Sequence, residues 1–394
     1  MDRSAISRGK RRHPKERLAC AAAVALFVMP FLMGQDDDRT QARLRAMAFE
    51  QKGQNVEAEK IWSAIVSVDQ RNAEALAHLG LLEARQEHYE TAIDFYRRAS
   101  AINSELPGLQ MNLGLALFKV AQFPDAIKSF SFEIKKHPND ARLTILLGMA
   151  HYGMKDYLVA IPYLKRGAEG DPKNITLRMT LARSCLWSKQ YHCVLDVHRE
   201  MLALNAESAE ADIIAGEALD QMGDGAGAEK ELRSALEVNP KESNAHFGLG
   251  YLLWTQSKWA EAASEFRLEV ENNPGHVQAR IYLADSRIRQ MDLVHALPDL
   301  ENLGTSQRSD SLVHRDLGIV YANSGRNDEA LQELRIAMEL SPQDVESYLQ
   351  SAKVYKSMGR SDEANAELES ARRLPPQAHP SLLEMIDSIE TPAP

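Results

Sequence analysis

Small, apolar and polar positions recur along this chain with a fixed period. From Arg39 to Ala378 the sequence divides into ten consecutive windows of 34 residues without insertion or deletion, starting at Arg39, Ala73, Pro107, Ala141, Ile175, Ala209, Ser243, Val277, Ser311 and Val345. Position 8 of each window is Gly or Ala in all ten. Position 20 is Ala in nine, with Val194 the exception. Position 24 is large and apolar in nine, among them Trp62, Tyr96, Phe130 and Phe266, and position 32 is Pro in six. Residues three and four apart share a helix face, so positions 4, 7, 8 and 11 define the buried stripe of a first helix and positions 20, 24 and 27 that of a second. Small residues at 8 and 20 let the two axes approach, and the bulky residue at 24 fills the space beside them. Pro at 32 ends the second helix because it lacks an N–H and restrains the residue before it. The pattern therefore predicts ten helical hairpins.

A single hairpin of this length cannot bury its apolar stripe; a stack of them can, which predicts an all-α solenoid. The large residue at 4, Leu-Gly at 7 and 8, Ala at 20, aromatic or Leu at 24 and Pro at 32 resemble the tetratricopeptide repeat (TPR), over ten windows. The resemblance implies a right-handed superhelical solenoid of about ten helix-turn-helix repeats. First helices would line a concave groove and second helices the convex side. It also implies binding of a protein or peptide rather than catalysis, with no cofactor, although a fold alone does not fix a function.

The segments outside the repeats divide the chain further. Residues 1–35 carry seven Lys/Arg up to Arg17, then 18 uncharged residues from Leu18 to Gln35, bounded by Asp36-Asp37-Asp38. This is the layout of a signal peptide or an N-terminal membrane anchor, basic on the cytoplasmic side. It predicts export of the repeats across the cytoplasmic membrane, to the periplasm or another extracytoplasmic space, either released or tethered. Residues 39–378 are the repeats, and residues 379–394 a short amphipathic C-terminal helix with a disordered Thr391-Pro392-Ala393-Pro394 tail. The apolar Leu382, Leu383, Ile386 and Ile389 of that helix are expected to cap the exposed edge of the last repeat. Arg45 in window one reads as a solvated end. In window eight the second helix is expected to stop near Leu303, before Gly304-Thr305-Ser306.

The formal net charge of −10 conceals an asymmetry, because the basic leader leaves 39 Lys/Arg against 54 Asp/Glu in the remainder. A solenoid of that sign repels phosphate backbones and excludes nucleic acid as a partner.

Window five departs most from the pattern: His198 takes core position 24, and Cys185 and Cys193 flank one turn. A disulfide between them and a pair of buried free thiols both remain open, the free thiols being the default reading. No CxxC or HxxxH spacing supports a metal site at Cys185, Cys193, His192 and His198. Two catalytic look-alikes also fail on context. Gly223–Ala228 matches G-x-G-x-x-A without a preceding strand, and His314-Arg315-Asp316-Leu317 lies within a predicted helix.

Function is thus expected in the groove. Positions 5, 9 and 12 of the first helices supply Met111, Leu115 and Phe118, then Ile145, Met149 and Tyr152, then Phe247, Tyr251 and Trp254, then Ile281. This apolar and aromatic lining suits capture of a peptide or helix, and packing between neighbouring first helices explains it equally well. The Lys and Asn clamp with which some family members hold a chaperone tail is missing. Only Asn112 stands at a matching place, beside Met111, Gly108 and His78. Two readings follow: an exported adaptor that binds a segment of another protein in the groove, or a membrane-tethered assembly factor for an envelope secretion, polysaccharide-export or outer-membrane machine. Oligomeric state is left open.

Overall fold

The computed structural model describes residues 38–204, 207–375 and 379–390. The expected leader, at residues 1–35, and the expected disordered tail, at 391–394, lie outside the described residues. Among the described residues there are twenty-one helices and no strand, and no helix is long and apolar enough to cross a membrane.

The helices fall into two compact units divided after Asp156. The first holds α1 (38–51), α2 (Asn55–Val68), α3 (Ala73–Arg85), α4 (Tyr89–Ile102), α5 (Leu109–Lys119), α6 (Phe123–Lys136) and α7 (Ala141–Gly153). The second begins with α8 (Tyr157–Gly170), α9 (Ile175–Trp187), α10 (Tyr191–Ala203), α11 (Ala209–Gln221), α12 (Gly225–Val238), α13 (Ala245–Thr255) and α14 (Trp259–Asn272). It continues with α15 (Val277–Arg289), α16 (Leu293–Ser306), α17 (Ser311–Asn323), α18 (Asn327–Leu340), α19 (Val345–Ser357), α20 (Ser361–Arg373) and α21 (Leu382–Glu390). Odd-numbered helices up to α19 are the first helices of the ten windows. From α2 to α20 each helix within a unit packs on the next, and first helices also touch one another, as α3 with α5 and α13 with α15. Each unit is therefore a stretch of solenoid with the first helices along one face.

The period acts through specific contacts. A Cβ added to Gly80, Gly114 or Gly250 at position 8 would lie 2.7, 2.5 or 2.8 Å from the ring of Tyr96, Phe130 or Phe266 at position 24. Those rings are at most 1% exposed, and Ala92, Ala126 and Ala262 at position 20 are wholly buried beside them. The turn between the two helices has its own rule, which apolar periodicity does not reveal. Position 15 has positive φ in every window, as Gly53, Gly223, Gly325 and Gly359 and as Glu87, Ala121, Lys155, Lys189, Ser257 and Met291. A left-handed residue there closes the first helix and turns the chain, and six windows accept the strain of a side chain in that conformation.

Position 34 controls where the following first helix begins. Asn72, Asp140, Asn174, Ser208 and Asp310 each accept a hydrogen bond from a first-turn amide of the next helix. Leu106 and Glu242 occupy that position ahead of windows three and seven. There α5 and α13 start two residues late, after Gly108 and Asn244 in the left-handed region.

Two sequence expectations require correction. Helix α16 does not stop near Leu303 but runs to Ser306, the same register as its counterparts. Leu303 is fully buried, Gly304 sits where a Cβ would come within 2.8 Å of Leu317, and the hydroxyls of Thr305 and Ser306 donate to the Asn302 carbonyl. The C-terminal helix forms as expected, yet it packs against α11 and α13 instead of capping the last hairpin. The reason is where apolar surface is available: α20 buries only Ala364 and Ala371 and has Leu368 as its one large apolar side chain, whereas α13 carries Phe247, Tyr251 and Trp254.

Candidate interaction site

The first-helix face of the second unit holds a helix of its own chain. Leu382, Met385 and Ile386 of α21 are 0%, 8% and 6% exposed, and with the partly buried Ile389 they occupy i, i+3, i+4 and i+7, the apolar stripe of an amphipathic helix. They join one cluster with Ile213 of α11, Phe247, Tyr251 and Trp254 of α13, and Tyr282 of α15. Polar contacts fix the register. The backbone N–H of Leu382 donates to Asp220 Oδ2 at 2.9 Å, which places a carboxylate at the positive end of α21. Ser381 and Glu384 form a reciprocal capping box: the Ser381 N–H donates to Glu384 Oε2 at 2.9 Å and the Glu384 N–H to Ser381 Oγ at 3.3 Å. Tyr251 donates its hydroxyl to the Pro380 carbonyl at 2.5 Å. Burial, followed by the nearby Asp220 and Glu384, pushes that phenol above its ordinary pKa, so it stays a donor. His379 packs edge-on against Trp254, with 4.7 Å between ring centres.

Beyond His379 the floor turns polar. Trp254 donates Nε1–H to Asp285 Oδ2 at 2.6 Å, and Arg315 reaches Asp285 at 3.0 Å, Asp316 at 3.4 Å and Asp344 at 3.6 Å. Arg289 approaches Asp285 at 3.5 Å. Asp316 is fully buried, with one carboxylate oxygen lacking a partner. Burial, then the neighbouring Asp285 charge, holds its carboxyl well above the usual range, against the opposing pull of Arg315 and Arg289.

The ten groove residues inferred from sequence thus divide into two sets. Phe247, Tyr251, Trp254 and Ile281 are no more than 5% exposed and form the floor under α21 or the packing between first helices. They are not open lining. In the first unit Met111, Leu115 and Phe118 on α5 and Ile145, Met149 and Tyr152 on α7 remain half-buried. Sequence reasoning identified Leu382 and Ile386 as apolar but missed Asp220, Pro380, Ser381 and Met385 as participants. The Ser381-Leu382-Leu383-Glu384 capping signature was the available signal for the start of this helix; nothing local points to its docking place.

Cys185 and Cys193 are joined in a disulfide, with Cα atoms 5.8 Å apart, linking the end of α9 to the start of α10. The default reading of two free thiols is thereby corrected: the short turn brings the two positions within bridging distance, and neither sulfur is available as a thiolate ligand. One group of side chains has metal-compatible geometry, His198, Asp212 and Glu231, whose ligand atoms all lie within 4.8 Å of one another. The repeat gives these residues a simpler role. Asp212 and Glu231 stand at positions 4 and 23 of window six, where windows seven and nine place the hydrogen-bonded pairs His246–Glu265 at 2.7 Å and His314–Glu333 at 2.6 Å. His198, at position 24 of window five, bonds Asp212 at 2.7 Å and completes a polar link between adjacent hairpins.

The look-alike motifs are structural as well. Gly223 is the left-handed turn residue before α12 and Asp224 caps that helix, while His314 and Arg315 are tied into hydrogen bonds within α17 and its neighbours.

These features define a helical-repeat protein whose C-terminal helix lies on the first helices of its second unit. Residues 43–107, 111–175 and 215–277 match one family model described as tetratricopeptide repeat, and residues 345–377 match a second of the same description. The chain belongs to the tetratricopeptide repeat family. Among solved structures it is similar to YrrB, described as a TPR protein with an unusual peptide-binding site, at 20% identity over 44% of this chain and 90% of YrrB, with a TM-score of 0.38. It is similar to MamA from Desulfovibrio magneticus at 15% identity, 42% and 94% coverage and a TM-score of 0.38. A tetratricopeptide repeat protein from Parabacteroides merdae matches at 17% identity, 67% and 98% coverage and a TM-score of 0.45.

Proposed function

We propose that this protein is an exported interaction scaffold, not an enzyme, which binds an amphipathic helix of another protein on its first-helix face. One observation carries the reading: α21 already lies on that face, with three apolar side chains buried against α11, α13 and α15 and its N-terminus held by Asp220. A surface that binds one amphipathic helix through an apolar stripe and a fixed end has the chemistry of helix-in-groove recognition. The half-buried Met111, Leu115, Phe118, Ile145, Met149 and Tyr152 offer a second apolar face on the first unit. Aromatic and Met side chains there supply contact area at low cost in polar desolvation.

Export is supported by the basic-then-apolar leader, and the Cys185–Cys193 disulfide suits an oxidising compartment. Whether the scaffold is released or tethered depends on cleavage near Gly34, which intact-mass analysis of membrane and soluble fractions reads directly. Helix capture is tested by titrating a fluorescent peptide of residues 379–390 into the full chain carrying Leu382→Asp and Ile386→Asp, which free the face. Saturable binding is expected. Absence of saturation, with helicity intact by circular dichroism, would refute the reading.

A further inference from the structure

The resident helix is smaller than the site it occupies. Next to Leu383, Ile386 and Asp387 the face continues into a cavity of about 480 Å³ bordered by Arg183, Trp187, Glu210 and Glu217. At the other end, past His379 and Pro380, a cavity of about 590 Å³ runs to Arg289, Arg315, Asp344 and Glu346. Helix α21 has nine residues, below the length at which an isolated helix holds together in water, so its helicity depends on docking. It is joined to the solenoid by the short segment between Arg373 and Leu382, which keeps it near the face whether docked or not.

We propose that α21 is a displaceable occupant of this site, and that the partner is a longer amphipathic helix of another protein that repeats its pattern. That pattern is a Ser-x-x-Glu cap, apolar residues at i, i+3, i+4 and i+7, and polar extensions that fill the two flanking cavities. The inference rests on the helix-capture reading and adds its regulation. A segment tethered by a linker this short has an effective concentration of ~1 mM, so it outcompetes a weak ligand and yields to one that gains contacts beyond its own ends. The two cavities are where such contacts are available. Glu210, Glu217, Glu242 and Asp387 outnumber Arg183 around the cavity at the C-terminal end of α21, whereas Arg289 and Arg315 balance Asp344 and Glu346 at the other, so a basic residue following the partner's apolar stripe fits best.

The test compares the labelled 379–390 peptide on the wild-type full chain and on the Leu382→Asp/Ile386→Asp chain. Binding to the variant should be at least ~10-fold tighter, the factor that removal of a tethered competitor provides. Equal affinity overturns the gating while leaving helix capture standing; no binding to a folded variant overturns both. A second measurement uses the wild-type chain alone, following amide exchange of α21 as unlabelled peptide is added in excess. Faster exchange in α21 with α13 unchanged supports displacement, and unaltered exchange at saturating peptide overturns it. Dimerisation of the wild type at working concentration, abolished by the same two substitutions, would assign α21 to a second copy and overturn the intramolecular gate.

Discussion

Gly80, Gly114 and Gly250 stand where an aromatic ring at position 24 presses on the first-helix backbone, so the alternation of small and large residues sixteen apart is a steric requirement. Gly114→Ala should therefore destabilise the protein by about 1–3 kcal/mol, the usual cost of overpacking, read as a lower urea midpoint. The turn residue shows the opposite sign. Ala121 holds φ at 57°, a conformation that costs an L-residue about 1 kcal/mol, so Ala121→Gly should be neutral or stabilising. Asp316 makes stability depend on pH. Its folded pKa is raised, so between the unfolded value and the folded one the native chain binds a proton that the unfolded chain has released. That contribution is complete at pH below the unfolded value and is lost as pH rises through the folded pKa. Asp316→Asn should remove the alkaline loss and flatten the melting temperature against pH; an unchanged profile would show that Asp316 is ionised in the native state.

Helix by helix, the local code was legible except where it relies on residues other than apolar ones. The hairpins could be placed from positions 8, 20, 24 and 32 because each of their contacts is made within one window. The left-handed residue at position 15 was hidden because six of the ten windows use a side chain there instead of Gly. The disulfide between α9 and α10 crosses one turn of the irregular fifth window and closes a loop with a sequence separation of 8. In the chain-entropy account such a bridge contributes about 2–3 kcal/mol, so Cys185→Ser/Cys193→Ser should lower stability by that order and make it insensitive to reductant. Docking of α21 has its own pH signature through His379. Burial, then the cationic Arg315 and Arg289, lowers its pKa when docked, while Asp285 acts in the other direction. The docked state therefore gains full stability above the free imidazole pKa and loses it as pH falls through the lowered value. The protection of the α21 amides, taken relative to their intrinsic exchange rates, should fall between pH 7 and pH 5, and His379→Phe should suppress that fall.

At the scale of the whole molecule, helix contacts among the described residues run between near neighbours along the chain, and those of α21 with α11 and α13 depart from that rule. Tyr251 meets Pro380 across 129 residues and Leu382 meets Asp220 across 162, so this helix ties the end of the chain to the middle of the second unit. A chain ending at residue 378 should melt earlier and bind a hydrophobic dye, because Phe247, Tyr251 and Trp254 lose their cover. An unaltered melting curve without dye binding would show that α21 adds nothing to the fold. The sequence by itself determined the number of hairpins, their boundaries to within a few residues, and the residues that pack inside each. Those follow from contacts at fixed short separations, which a repeating pattern records directly. Only the tertiary structure decided that the aromatic floor of α13 is covered, that a terminal helix covers it, and that Asp316 is buried against Arg315, which also pairs with Asp285. Each depends on groups far apart in the chain meeting in space, where burial and charge are set by neighbours that no local pattern specifies.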